Sequence, residues 1–143
     1  MNKARSVSRL VVLLVLLAVS TIPSASGQES PEARVRRFYI TVATGEYSAT
    51  WEMLSTNLAQ ETSKEKYTKE LAVYFKGSKL NFEVGPVRKR APESVEVTSD
   101  LRVIQENVAY PIRHTTIWVF DKGRNNWFFD GELGRAPVSM SPR

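Results

Sequence analysis

One histidine and five tyrosines are the side chains here whose chemistry could reach beyond packing. His114 lies in the middle of an alternating run, Ala109 to Phe120. In that run Tyr110, Ile112, His114, Thr116, Trp118 and Phe120 share a side at a two-residue period. An imidazole on an apolar strand face, with a phenol nearby, is a candidate for general acid–base work, because burial moves a pKa toward neutrality. Tyr39, Tyr67 or Tyr74 would supply the phenol from helices. Against this, Asp100, Asp121 and Asp130 fall at or near strand ends or turns, so no aspartate is expected mid-strand beside the imidazole. A lone strand histidine flanked by Arg113 and Thr115 is more often structural, and His114 is a weak catalytic candidate on these grounds.

Other chemistries are poorly supplied. The chain has no G-x-S-x-G, H-E-x-x-H, Walker or Rossmann glycine pattern. With no cysteine it has no thiolate nucleophile, thiolate metal site or disulfide, and one histidine cannot make a two-histidine metal site. Neither a metal nor a cofactor is expected.

The first 27 residues set the compartment. Lys3, Arg5 and Arg9 precede an uncharged run, LVVLLVLLA, from Leu10 to Ala18, and Ala25-Ser26-Gly27 offers small residues before a cut ahead of Gln28. That order predicts a secretory signal, residues 1–27, and a secreted or periplasmic product with no membrane attachment after cleavage. The alternative is an uncleaved anchor, since Val19, Ile22 and Ala25 lengthen the apolar stretch toward the roughly 20 residues that a bilayer span needs. The signal also carries most of the basic surplus. Of 20 basic and 15 acidic residues it holds three and none, leaving 17 against 15, a charge of +2. A nucleic-acid protein needs a dense basic face, so nucleic acid is not expected as a partner.

The remaining 116 or so residues suit one core. Ser30-Pro31-Glu32 reads as a helix start, with Val35, Phe38, Tyr39, Val42 and Ala43 as its apolar stripe, Thr41 off it, and Gly45 as its end. Tyr47, Trp51 and Leu54, extended by Leu58, predict a second helix that Ser55-Thr56-Asn57 weakens. Thr62-Ser63-Lys64-Glu65 reads as a capping box opening a third, with Tyr67, Leu71, Tyr74 and Phe75 as its stripe and Gly77 closing it. The period then becomes two. Leu80 to Arg90 is expected as a strand interrupted at Gly85-Pro86 by a bulge or an edge position. Val95 to Ile104, Ala109 to Phe120 and Trp127 to Asp130 follow as strands, separated by turns at Gln105-Glu106-Asn107 and Asp121 to Asn126. A tail, 134–143, is expected to be disordered. The prediction is an α+β domain over residues 30–133, with three N-terminal helices packed on a four-stranded, mostly antiparallel sheet.

Phe38-Tyr39, Gly45-Glu46-Tyr47, Trp51 and Leu54-Ser55, followed by Trp118 to Asp121, Gly123 and Trp127, together resemble the nuclear transport factor 2-like superfamily. This is the cone-shaped, cystatin-like fold shared with ketosteroid isomerase. The resemblance spans roughly Pro31 to Leu133. It implies a curved sheet whose cone, lined by Tyr39, Trp51, Tyr67, Tyr74, Tyr110, His114 and Trp118, takes a ligand. It says little about activity, because folds of this kind carry many functions.

Two classes stay open. One is a noncatalytic exported binding or assembly module that holds a small apolar ligand, or a protein partner, through its cone and sheet face. The partner would be a second copy or another envelope protein, and Ala109, Ile117 and Val119 on the far face of the long strand fit such a cover. The other is a small cavity enzyme of isomerase, dehydratase or cyclase type using His114 with a tyrosine. Convergence of His114, a tyrosine and a carboxylate in the cavity would favour the enzyme; a wholly apolar or filled cone would favour the module.

Overall fold

The structure, a computed structural model, describes residues 28–137, the side chains of 134–137 excepted. The expected signal segment, 1–27, and residues 138–143 of the expected tail lie outside it. Four short helices, α1 (Pro31–Ala43), α2 (Tyr47–Trp51), α3 (Thr56–Glu61) and α4 (Lys64–Tyr74), precede the strands. The strands are β1 (Ser78–Glu83), β2 (Val87–Ala91), β3 (Ser94–Gln105), β4 (Val108–Asp121) and β5 (Asn126–Pro137). They form one open antiparallel sheet in which β1 and β2 share an edge of β3, β4 follows, and β5 is the far edge.

The helix ends follow local chemistry. The Ser30 hydroxyl accepts from the Ala33 amide at 3.1 Å, Pro31 begins α1, and Gly45 leaves it at φ +77°, where a side chain would be strained. The apolar stripe of α1 is buried as its period predicts. Thr41, expected off the stripe, is buried too. Its hydroxyl reaches the Phe38 carbonyl at 2.7 Å and the Thr50 hydroxyl at 2.8 Å, so the helix pair α1–α2 is joined through a satisfied polar contact.

Other expectations change. The second helix splits, because Met53 to Ser55 pair with the edge of β5: the Ser55 amide donates to the Phe129 carbonyl and the Phe129 amide to Met53, each at 2.8 Å. Ser55 then caps α3. Covering a strand edge satisfies donors and acceptors that continued helix would leave exposed. The cap of α4 is Ser63 rather than Thr62, so the expected capping box does not form. The strand expected over Leu80 to Arg90 becomes two strands, giving five where four were expected. The break falls at Val84-Gly85-Pro86, where three residues lie opposite Thr98 and Ser99. An ideal Cβ on Gly85 would lie 1.8 Å from the Thr98 carbonyl oxygen, so only glycine admits this approach.

The hairpins match the turn chemistry. Glu106 (φ 49°) and Asn107 (φ 67°) make the two-residue turn between β3 and β4. The last strand is longer than expected. It passes Asp130 and continues to Pro137, with Gly134 to Pro137, the start of the expected tail, paired to Ile112–Thr115 of β4. Irregular register at Thr115/Thr116 and Ile117/Trp118 bends the β4–β5 pair. The helices lie on the face carrying Val95, Val97, Val103 and Trp118, and the core joins these to Val35, Phe38, Tyr39 and Val42 of α1. On the other face Ile117 and Val119 are half-buried.

Candidate functional site: a cavity between helices and sheet

Strand alternation aims Ile112 and His114 of β4, and Leu101 and Val103 of β3, at the helices. Helix periodicity aims Phe38, Tyr39 and Val42 from α1, and Tyr67, Leu71 and Tyr74 from α4, back at them. Because α4 packs chiefly on α2 and only lightly on the sheet, these groups line a partly open cavity of about 200 Å³. Its walls are aliphatic and aromatic, with Phe75, Leu80 and Phe129 completing them. Its polar groups are the Tyr39, Tyr67 and Tyr74 phenols, the His114 imidazole and the Glu132 carboxylate.

These polar groups converge. The Tyr39 hydroxyl lies 2.8 Å from His114 Nδ1, both side chains being buried. On the other side of the ring, His114 Nε2 lies 3.1 Å from Glu132 Oε1. Nε2 is nonetheless buried without a hydrogen bond, so the carboxylate faces it off the N–H axis and the contact is an electrostatic one. A carboxylate beside Nε2 favours the proton there, which leaves Nδ1 to accept from the Tyr39 hydroxyl. The result is a carboxylate–imidazole–phenol series along one wall. It can hold a proton at Nε2, pass one between the Tyr39 oxygen and Nδ1, and offer hydrogen bonds to a polar group of a ligand.

Tyr67 stands near the same carboxylate. Burial, and secondarily the negative charge of Glu132, push its phenol up to about 12 from an ordinary 10.0. Trp51 backs it, with ring centroids 5.6 Å apart. The raised value stabilises the folded state at every pH below about 10, and that stability is lost as pH climbs through about 12. Phenolate absorbance in an alkaline titration is therefore expected to show a late-ionising tyrosine that disappears in Tyr67→Phe. The same step is expected at lower pH in Glu132→Gln, still above 10 because burial persists. A wild-type titration in which Tyr67→Phe removes an ordinary, early step would refute this placement.

Of the residues expected in the pocket, Tyr39, Tyr67, Tyr74 and His114 line the cavity. Tyr74 does so at its rim, half exposed and edge-on to Phe75. Trp118, Trp51 and Tyr110 do not line it. Trp118 is fully buried behind Phe38 and Phe129, Trp51 packs behind Tyr67, and Tyr110 is half exposed near the β3–β4 hairpin. The two-residue period put Tyr110 and Trp118 on the correct face but could not say how far along the strand the helices leave a gap. Glu132 is the site residue that sequence reasoning missed. Gly131 breaks the apolar alternation, and the last strand was expected to end at Asp130, before the glutamate. Among the described residues no group of three or more histidine, cysteine or acidic side chains is placed to hold a metal.

No family model matches the chain, and no curated protein matches it. Solved structures do. A SEC-C motif containing protein from Rhodopseudomonas palustris aligns with a TM-score of 0.61 at 14% identity, over 73% of this chain and 78% of that one. A domain of unknown function with a cystatin-like fold from Nostoc punctiforme aligns at 0.56 and 15% identity, over 74% of each chain. A putative calcium/calmodulin dependent protein kinase II association domain from Xanthomonas campestris aligns at 0.55 and 12% identity, over 75% and 84%. At these identities the likeness concerns architecture alone: the chain has an α+β, cystatin-like fold.

Proposed function

We infer that this is an exported binding protein of the nuclear transport factor 2-like kind, whose cavity holds a small, mostly apolar molecule by one polar end. The partly open space between α4 and the sheet, with His114 at its buried wall, carries this reading, and Glu132 faces His114 Nε2 without a hydrogen bond, so the convergence that would mark an enzyme is incomplete. A cavity of about 200 Å³ exceeds the roughly 150 Å³ that accommodates benzene in an engineered core, so the fit is to a molecule of one or two rings. Apolar walls supply affinity and the convergent polar groups supply orientation. Native mass spectrometry of the protein purified gently from its own source is expected to show a mass excess on the order of 100 Da or more, as a ring-sized guest requires. A clean protein mass, alone or joined to another chain, would turn the reading toward an interaction module. A second copy or another envelope protein would then cover the sheet face at Ile117 and Val119.

A specific observation favours a second reading, a cavity enzyme of isomerase, dehydratase or cyclase type. His114, Tyr39 and Glu132 converge within hydrogen-bond or ion-pair distance, with His114 and Tyr39 buried. In this reading the His114–Tyr39 pair exchanges a proton with the bound molecule while Glu132 steadies the charge that develops on the imidazole. Once the natural ligand is identified, His114→Gln is expected to retain binding and to lose on the order of 100-fold or more in turnover. Unchanged turnover in that variant would leave the binding reading alone standing.

A further inference from the structure

Resting on the reading of the cavity as a ligand site, we propose that α4 is the lid of that cavity: it stands away from the sheet while the cavity is empty and closes on a molecule once it has entered. Anchorage is the first observation. Helix α4 gives Tyr67, Leu71 and Tyr74 to the cavity wall, yet none of its 11 residues is buried. The opposite wall is different: α1 buries Val35, Phe38, Tyr39, Thr41 and Val42. What holds α4 is chiefly α2. Tyr67 rests on Trp51 with ring centroids 5.6 Å apart, and Lys64 Nζ meets Glu52 Oε1 at 2.6 Å, both of those side chains being exposed. Exposed ion pairs add little to stability. Both contacts involve the first turn of α4, so that turn is the pivot and the later turns are the part that swings.

The joints are the second observation. Two residues, Thr62 and Ser63, separate α3 from α4, and both are extended. The Thr62 hydroxyl is buried there without a hydrogen bond, so it does not pin the joint. At the other end Gly77 turns the chain toward β1 at φ +71°, with nothing within 4 Å of the place a Cβ would take. A few such residues at the ends of an element can absorb the dihedral change of a closing motion. The third observation is what closing would gain. The cavity is partly open, and Tyr67, Leu71 and Phe75 are only half-buried. A ring-sized molecule lying against Leu80, Val103 and Ile112 would give these three side chains apolar surface to cover. Closure therefore buries more when the cavity is occupied than when it is empty, and that difference is what lets a ligand shift the balance between two positions.

The chain has no cysteine, so paired cysteine variants carry spin labels at chosen positions alone. Val73→Cys on α4, where the side chain is 70% exposed, with Arg102→Cys on the central strand β3, also exposed, reports the lid. Arg36→Cys on α1 with Arg102→Cys is the control. Folds are checked by circular dichroism. Benzyl alcohol is the probe, and the NMR signals of the Ile112 methyl groups report its entry. With the cavity occupied, the Val73–Arg102 label distance is expected to shorten by about 2 Å or more and its spread to narrow, while the control distance stays put. A lid-pair distance that is unchanged or longer when the alcohol is bound would overturn the lid and leave the pocket reading standing. Equal shortening of both pairs would also overturn it, since the two helices would then move together. Ile112 signals that never respond to the alcohol would overturn the lid and the pocket reading alike.

Discussion

Trp118→Ala is expected to bring the protein close to unfolding at ordinary temperature. Trp118 is fully buried, edge-on to Phe38 with centroids 5.5 Å apart and to Phe129 at 5.7 Å, and Phe38 stacks on Phe129 at 5.0 Å. These three rings tie the first helix to the two strands at the far side of the sheet. Removing the indole leaves a cavity that two rigid neighbours cannot fill, and truncations of this kind cost about 3–5 kcal/mol. It also removes the N–H that donates to the Thr116 hydroxyl at 2.9 Å, although that hydroxyl keeps its own bond to the Val97 carbonyl at 3.2 Å. Against a total stability of about 5–15 kcal/mol, such a loss dominates. In a domain of this size each kcal/mol moves the melting temperature by about 4–8 °C, so a fall of roughly 20 °C is expected. Calorimetry or a thermal circular dichroism melt measures it. Trp118→Phe is expected to recover more than half of the loss, because much of the ring volume returns. A Trp118→Ala protein that melts within a few degrees of wild type would contradict the packing described.

Gly85→Ala is expected to be the second most damaging single change, although it adds only one methyl group. The added Cβ would fall 1.8 Å from the Thr98 carbonyl oxygen and 3.0 Å from its carbonyl carbon. Both belong to the backbone of the central strand β3, which is held by β4 along its whole length and cannot give way. The edge must therefore move out. Overpacking typically costs about 1–3 kcal/mol, and a clash with backbone belongs at or above the upper end. The loss is expected to be local first. Hydrogen exchange should quicken at the β2 amides paired with Val95 and Val97 before it quickens in β4. Gly77→Ala makes a useful contrast. It stands at φ +71° with nothing near its Cβ position, so its cost is conformational strain of about 1 kcal/mol and involves no clash. Urea unfolding of the two variants side by side checks the order. If Gly85→Ala were the milder of the two, the close approach between β1–β2 and β3 would be wrong.

Neither of these sites overlaps the cavity polar groups, so both variants test the frame, while the Tyr67, His114 and Glu132 variants test what the frame holds. The distinction matters for His114. A histidine with one nitrogen bonded to Tyr39 and the other close to a carboxylate contributes to structure as well as to any proton transfer. Its replacement by glutamine keeps a polar group in place of the ring, which limits the structural cost.

The elements and their faces were largely legible in the sequence. A 3.6-residue period marked α1 and α4, a two-residue period marked β3 and β4, and Ser30, Gly45 and Glu106-Asn107 punctuated them, because these signals arise from backbone geometry within a few residues. The α+β class followed from their order. Half of the site was legible for the same reason: His114 faces inward by strand parity, and Tyr39, Tyr67 and Tyr74 face it by helix parity. Only the tertiary structure could decide which phenol meets the imidazole, since Tyr39 and His114 are 75 residues apart in the chain. It also decided that Met53 to Ser55 leave the helix to cover β5, and that β5 runs past Gly131 to bring Glu132 beside His114. Pairing along an edge depends on which backbone groups a neighbouring strand leaves open. That is a property of the assembled sheet and is written in no single stretch of sequence.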